Sequence, residues 1–350
     1  VIDHAPRRRR DRFAFCLPLS LVQVILSSMA RKLTHQQQRR VKSLQEKRHL
    51  QVTTGDESLI GQPQTGLLIM RHGRSAVVES TAGEIISCHL RQNLQDVVAG
   101  DRVVWQTDAA GAGVIIANTP RETVFTKTIS GEGKALAANI SCLVIVFAPE
   151  PAPTPGLLDK YLLAAELMRL KPILVLNKCD LVPKFPSIIE QVDLYQCLGY
   201  SLIQISTLQG TGLSALKMQL QHETSVVVGQ SGVGKSSLIN TLLPASADML
   251  RVGDISEFSR FGKHTTSNAQ LYHLPSGGYI IDSPGVRDIE LGKLTSAQIE
   301  SGFIECRELL GQCKFRDCSH QHEPGCAVRA AVECGKMSEK RYNSMLEFMK

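Results

Sequence analysis

Hydrophobic and polar positions follow different rhythms along the chain. Between Thr65 and Asn118 short alternating segments dominate: Gly66–Met70, Ala76–Glu79, Glu84–Cys88, Arg102–Trp105 and Gly113–Ile116, separated by turn signals such as His72-Gly73-Arg74 and Ala99-Gly100-Asp101. Alternation bounded by turns predicts half-buried strands. Five strands in so short a span suit a small closed barrel of the OB type. After Pro120 the rhythm changes. Leu143–Phe147 and Ile173–Leu176 are apolar throughout, as strands covered on both faces are. Leu157 to Leu170 carries leucines at helical spacing, Leu213–Leu220 reads as an amphipathic helix, and Ser338–Lys350 as a polar one. Strand and helix alternate here as a βαβ sheet demands.

The amino-terminal stretch lacks both rhythms. Arg31, Lys32, Arg39, Arg40, Lys42, Lys47 and Arg48 are interleaved with Gln36-Gln37-Gln38. Such an arm cannot bury a core and is expected to order only against an anion, RNA being the favoured partner. Residues 1–28 place Arg7–Arg10 and Arg12 before the apolar run Phe13–Leu26, in imitation of an export signal. Pro18 interrupts that run, which is shorter than the about 20 residues a membrane span needs. An upstream or disordered extension is the favoured reading of 1–28, with an export signal as the alternative.

At 350 residues the chain is too long for one small domain, and 43% hydrophobic content is ample for buried cores. The net charge of +6 hints at an anionic partner. Aromatics are just 5% of residues, so Trp105 is expected in the barrel core or at its lip rather than as a base-stacking platform. On the barrel, Arg71, His72, Arg74, Arg91 and Arg102 are candidates for RNA contact, each with a plain solvated charge as the competing reading.

Candidate chemistry centres on Gly229-Gln230-Ser231-Gly232-Val233-Gly234-Lys235-Ser236-Ser237, set between the strand-like Val226–Val228 and a helical Leu238-Ile239. This is G-x-x-x-x-G-K-S in the strand-to-helix context that a phosphate-binding loop requires. Its glycines let successive N–H groups point into one concavity backed by a helix N-terminus. Lys235 would supply a charge for the β- and γ-phosphates, and Ser236 a hydroxyl for Mg²⁺. Asn177-Lys178-Cys179-Asp180 follows the Ile173 strand. The Asp180 carboxylate can accept both N1–H and the exocyclic amine of guanine, a donor pair adenine does not offer. Asn177 would bond the opposite edge and tie the two loops together, while the stem of Lys178 lies over the ring. Ser206, in Gln204-Ile205-Ser206-Thr207, ends another strand where a backbone N–H can reach the guanine carbonyl. Asp282-Ser283-Pro284-Gly285 follows the strand-like Tyr279–Ile281. There Asp282 can hold a Mg²⁺-bound water and the Gly285 N–H can meet a γ-phosphate, although a Pro-Gly hairpin turn is the competing reading.

The order is unusual: N-K-x-D precedes the phosphate loop, which precedes D-x-x-G, the order of a circularly permuted G domain. With its flanking motifs, this set resembles the ribosome small subunit-dependent GTPase A family, from about Met29 to the C-terminus. The resemblance implies a GTPase acting in maturation of the small ribosomal subunit and contacting that subunit's rRNA, cytoplasmic and without membrane attachment. A monomer is expected. It supports the barrel assignment and, by alignment of the polar stretch Gly262-Lys263-His264-Thr265-Thr266, places Thr266 as the switch threonine on Mg²⁺ and the γ-phosphate, with Thr265 the runner-up. The family's usual Ser-Ala after the last guanine-side strand is Ser206-Thr207 here. Val286 stands where conventional G domains carry a water-orienting glutamine. The expected catalytic residues are therefore His264, Thr266 and Lys235, with a partner stimulating turnover. The magnesium set is Ser236, Thr266 and Asp282.

Ten cysteines are spread thinly except at Cys313, Cys318, His320 and Cys326. Three thiolates and an imidazole make the closed tetrahedral shell of one structural Zn²⁺, with no open position for catalysis. His322 is the alternative imidazole, and the family carries the same spacing. Cys306 and Cys334 read as ordinary buried thiols, and Lys314, Arg316 and Arg329 as further candidates for RNA contact. The expected layout is an extension over 1–28, a basic arm over 29–62, an OB barrel over 63–118, a circularly permuted GTPase domain over 119–291 and a zinc-binding helical domain over 292–350. The chain beyond Asp282 is expected to carry the second switch straight into that last domain. An RNA-binding scaffold holding guanine nucleotide structurally is the alternative function. A metabolic P-loop kinase is disfavoured, because N-K-x-D specifies guanine and no acceptor site is apparent.

Overall fold

A computed structural model of the chain describes residues 59–91, 94, 96–129, 133–243, 269–282 and 289–350. Alternating segments of the first third become β1 (Leu59–His72), β2 (Ser75–Ser80), β3 (Ile85–Leu90), β4 (Arg102–Asp108) and β5 (Gly113–Asn118). They run in the order β1-β2-β3-β5-β4, and β1 pairs back with β4 to close a barrel. One strand serves both neighbours because its register shifts twice, between Ile60 and Gln64 and between Leu68 and Met70. Such irregularities bend a strand and increase its twist. Leu68, Ala76, Val78, Cys88, Val103, Trp105 and Ile115 fill the interior, so Trp105 is a core residue. β1 starts at Leu59, inside the stretch read as a flexible arm to residue 62. Leu59 and Ile60 carry little alternation but gain main-chain partners in Asp108 and Thr107.

A hairpin of β6 (Val124–Thr126) and β7 (Ala135–Ala138) leads into the second sheet. The elements there are β8 (Cys142–Phe147), α1 (Leu157–Met168), β9 (Lys171–Leu176), α2 (Ile188–Cys197), β10 (Ser201–Gln204), α3 (Leu213–Leu220), β11 (Thr224–Val228), α4 (Lys235–Leu242), β12 (Gln270–His273) and β13 (Tyr279–Asp282). The sheet order is β10-β9-β8-β11-β13-β12, parallel except for β12 against β13. All six β8 side chains are buried, in alternation on two faces. Leu143, Ile145 and Phe147 meet α1 and α2, whereas Cys142, Val144 and Val146 meet α3 and α4. Each such aliphatic or aromatic side chain contributes about 1.5–3 kcal/mol by leaving water. This double cover is why the segment reads as uniformly apolar.

Beyond the sheet, Thr295 caps α5 (Ser296–Gly302) in a reciprocal box with Gln298. With α6 (Ala327–Glu333) and α7 (Glu339–Phe348) it forms a small core of Ile299, Phe303, Cys306, Val328, Met337 and Met345, which also takes in Leu163 of α1. Cys306 is buried as expected, but Cys334 is exposed: it caps the C-terminal end of α6, where its side chain faces away from that core.

α7 is also less polar in its surroundings than its sequence implies, since Arg341 and Met345 are buried. The Arg341 guanidinium donates to Asp159 Oδ1 at 2.8 Å and to both Glu305 oxygens at 2.7 Å. Burial alone would lower its pKa, but the hydrogen bonds to Glu305 and the charge of Asp159 hold it above the ordinary arginine value.

Ile289 is buried in the sheet's core. The Glu290 N–H donates to the Lys127 carbonyl at 2.8 Å, and the Ile129 N–H to the Glu290 carbonyl at 2.9 Å. Most of the expected second switch, residues 283–288, lies outside the described residues; where the description resumes, two main-chain bonds tie Glu290 to the end of β6.

Candidate functional site

The Gly229–Ser237 loop, the Asn177–Asp180 segment, Ser206 and Asp282 all lie at the carboxyl ends of β9, β10, β11 and β13. Ligands of open α/β sheets bind at that edge. Gly229 follows β11 directly, and Lys235 opens α4 behind an N-cap Gly234 with φ 94°. Asn177 is fully buried. Its Nδ2 donates to the Val233 carbonyl at 2.9 Å, and its Oδ1 accepts from the Thr207 N–H at 3.3 Å. The crossing is so close that a Cβ on Gly234 would stand 2.4 Å from Asn177 Nδ2. Two loops in inverted order are thus sewn together by one amide that bonds across 56 residues of sequence.

Lys178 adds a second stitch, its Nζ donating to the carbonyls of Glu150 and Gly232 at 2.8 Å each. Lys235 Nζ lies across the mouth of its own loop, donating to the Gly229 and Gln230 carbonyls at 2.6 Å. On the base side, the buried Ser206 hydroxyl donates to Asp180 Oδ1 at 2.6 Å and accepts the Gln209 N–H at 3.2 Å. Ser206 therefore orients the carboxylate through its side chain, a role that the sequence reading had not assigned to it. Burial, and then the neighbouring Asp180 charge, push the pKa of the Cys179 thiol up.

Asp282 is the last residue of β13 and half-buried. The turn of its hairpin with β12 lies at Leu274–Gly278, at the far end of the strand. Asp282-x-x-Gly285 is thus not that hairpin's turn. Ser231, Ser236 and Ser237 are exposed on the loop and the first turn of α4, and Gly232 lies beside them. His264, Thr265, Thr266, Gly285 and Val286 lie outside the described residues.

The second cluster is the Cys/His loop. One ligand atom from each of Cys313, Cys318, His320 and Cys326 lies within 4.8 Å of the others. The Cys313 and Cys326 sulfurs are 3.9 Å apart, and His320 Nδ1 is 3.6 Å from Cys313 Sγ and 3.3 Å from Cys326 Sγ. A tetrahedron with Zn–S of about 2.3 Å has edges of about 3.8 Å, so the donor set fits Zn²⁺. His320 is buried and His322 exposed, which selects the former as the imidazole of the cluster. Behind it, Glu300 Oε1 lies 3.2 Å from His320 Nε2, near enough for charge pairing but not aligned as a hydrogen bond. The Cys318 thiol is pushed up to about 12, by desolvation first and then by Cys326 and Cys313, against a lowering backbone hydrogen bond. A coordinated cation reverses such a balance and deprotonates the thiol outright.

The charges proposed for RNA contact are less uniform. His72, Arg74 and Arg102 are exposed, whereas Arg71 is half-buried and donates to the carbonyls of Gly73 and Val97. Lys314 and Arg316 flank the exposed Phe315 on the Cys/His loop, and Arg329 is half-buried on α6. Among the described residues, no helix is long and apolar enough to cross a membrane.

Comparison with known proteins agrees with this geometry. A family model described as RsgA GTPase matches residues 118–292. The protein "Small ribosomal subunit biogenesis GTPase RsgA" of Pseudomonas putida strain F1 is 48% identical over 292 residues, covering 81% of this chain and 84% of that protein. Its namesake in Pseudomonas fluorescens strain Pf-5 is 44% identical over 329 residues, covering 90% and 95%. The crystal structure of YjeQ from Thermotoga maritima superposes with a TM-score of 0.68 at 31% identity, covering 82% of this chain and 98% of that one. That of YloQ, described as a circularly permuted GTPase, gives 0.65 at 28% identity, covering 82% and 94%. The chain belongs to the RsgA GTPase family.

Proposed function

We propose that this chain is a GTPase of small ribosomal subunit maturation, hydrolysing GTP to GDP and phosphate on the subunit and then leaving it. The observation that carries the reading is the buried Asn177 bridge to Val233, which makes one site of two motifs in inverted order. In it, Asp180 reads guanine under the control of Ser206, Asn177 and Lys178 hold the base side, and the backbone from Gly229 to Ser237 cradles the phosphates. Lys235 neutralises charge on the β- and γ-phosphates. Ser236, Thr266 and Asp282 hold Mg²⁺, and the Gly285 N–H meets the γ-phosphate.

Val286 cannot hydrogen-bond to a water, so the intrinsic rate is slow, and His264 orients the nucleophile once the subunit has arranged the switches. Cys313, Cys318, His320 and Cys326 hold one structural zinc. The basic residues of the arm, the barrel and the Cys/His loop contact rRNA, and the protein works in the cytoplasm as a monomer.

The test is GTPase turnover with and without purified small subunits. Strong stimulation, lost in His264→Ala with nucleotide affinity intact, is expected. An unstimulated rate identical in both conditions would favour a scaffold that merely holds guanine nucleotide.

A further inference from the structure

The segment joining β8 to α1 reads Pro149-Glu150-Pro151-Ala152-Pro153-Thr154-Pro155. Proline has a fixed φ and no N–H, so this strap presents carbonyls on a stiff backbone with few donors of its own. Side chains from both nucleotide loops take hold of it. Lys178 Nζ donates to the Glu150 carbonyl at 2.8 Å. From the phosphate loop, Gln230 Nε2 donates to the Pro151 carbonyl at 3.1 Å and to the Ala152 carbonyl at 3.0 Å. The same Lys178 ammonium continues to the Gly232 carbonyl at 2.8 Å, so strap, guanine loop and phosphate loop meet at that one charge. Gln230 is half-buried, and its amide uses one N–H₂ group for two carbonyls of the strap.

We propose that Gln230 is a positioning residue for guanine nucleotide: it holds the proline strap against the phosphate loop and thereby fixes the perch of Lys178. This rests on reading the site as a GTP site. Gln230 supplies its side chain to the strap and its backbone to the cradle, so the side chain governs affinity rather than the bond-breaking step. A donor is required. A carboxylate of the same shape would set an oxygen in place of the N–H₂ group, against both carbonyl oxygens, and alanine would leave the strap held by Lys178 alone.

The experiment uses the full chain. Equilibrium titration with a fluorescent GDP analogue, and subunit-stimulated kcat and KM for GTP, are measured for wild type, Gln230→Ala, Gln230→Glu, Gln230→Asn and Lys178→Ala. Gln230→Ala is expected to raise Kd and KM about tenfold, with kcat at saturating GTP within about twofold. Gln230→Glu is expected to be weaker still. Gln230→Asn, one methylene short of the strap, should resemble alanine and provides a second reading should either other variant fold poorly. Because Gln230 acts through Lys178, adding Gln230→Ala to Lys178→Ala should cost less than about threefold more.

Wild-type affinity in Gln230→Glu, a loss confined to kcat, or the full tenfold penalty in the Lys178→Ala background would each overturn the proposal. A wild-type chain that binds no guanine nucleotide in the same titration would instead sink the parent reading and this one with it.

Discussion

The permuted sheet is joined on two sides, and the two joints are made differently. On the barrel side the contact is largely main chain. Met70 of β1 pairs with Gln270 of β12, the Ala138 N–H donates to the Ala99 carbonyl at 3.0 Å, and Asn139 Nδ2 to the Gly100 carbonyl at 2.9 Å. On the C-terminal side it is made of side chains. Arg341 is clamped between Asp159 and Glu305, Arg307 reaches Glu166, and Leu163 packs against Gly302 so tightly that a Cβ there would sit 2.1 Å from it. A main-chain joint tolerates changes of side chain but not of backbone shape. A buried ionic joint tolerates the reverse, because each partner that is removed strands the others without water.

Stripping the zinc proposed for Cys313, Cys318, His320 and Cys326 should break the C-terminal side most completely. A structural zinc commonly contributes about 10 kcal/mol or more of apparent folding free energy. Chelation is expected to abolish amide protection over residues 313–337 while the barrel stays protected, with one zinc per chain measured by elemental analysis beforehand. Retained protection there would mean that the Cys/His loop folds without metal.

Next in size is Arg341→Ala, which leaves two carboxylates buried without a counter-charge. It should cost about 3–5 kcal/mol in chemical denaturation and expose residues 292–350 to protease. A loss below about 1 kcal/mol would show that solvent reaches this clamp.

Gly100→Ala tests the opposite joint. With φ at 88° and a new Cβ 2.2 Å from the Ala138 carbonyl, it should cost about 1–3 kcal/mol and raise exchange over residues 96–101, leaving the C-terminal helices untouched.

The smallest effect belongs to Glu79, whose Oε2 meets His273 Nε2 at 2.8 Å between β2 and β12. Because His273 is 54% exposed, Glu79→Gln should change the melting free energy by less than about 1 kcal/mol, and high salt should erase the difference. A larger effect would mean that side chains carry more of the barrel joint than its main-chain pairing does.

Much of the nucleotide site was legible beforehand because its chemistry is local. Gly229 to Ser237 had to be a strand-to-helix turn to work at all, and Asn177, Asp180 and Asp282 each sit one step beyond an apolar run. The Cys/His spacing was equally readable, since a metal's demand for four soft or borderline donors leaves few ways to arrange them. Arg341 was not legible. In sequence it is one charge in a polar helix, and nothing within α7 hints at Asp159, 182 residues away. Glu300 behind His320, Ser206 holding Asp180 and Gln230 gripping the strap were missed for the same reason. Each is an ordinary polar residue whose meaning lies in what faces it.

The sequence by itself determined which strands are buried on both faces, where the Gly229–Ser237 loop turns from strand to helix, and which four residues can share a metal, because periodicity and ligand chemistry act over a few neighbouring residues. Tertiary structure alone decided that β1 reaches back to Leu59 to close the barrel and bind the edge of the sheet, and that the segment after β13 returns to Lys127 and Ile129. It alone decided, too, that Arg341 is clamped between Asp159 and Glu305 where the C-terminal helices meet α1. Backbone N–H and carbonyl groups are the same in every residue, and buried charges are chosen by partners far along the chain, so neither kind of contact leaves a local pattern to read.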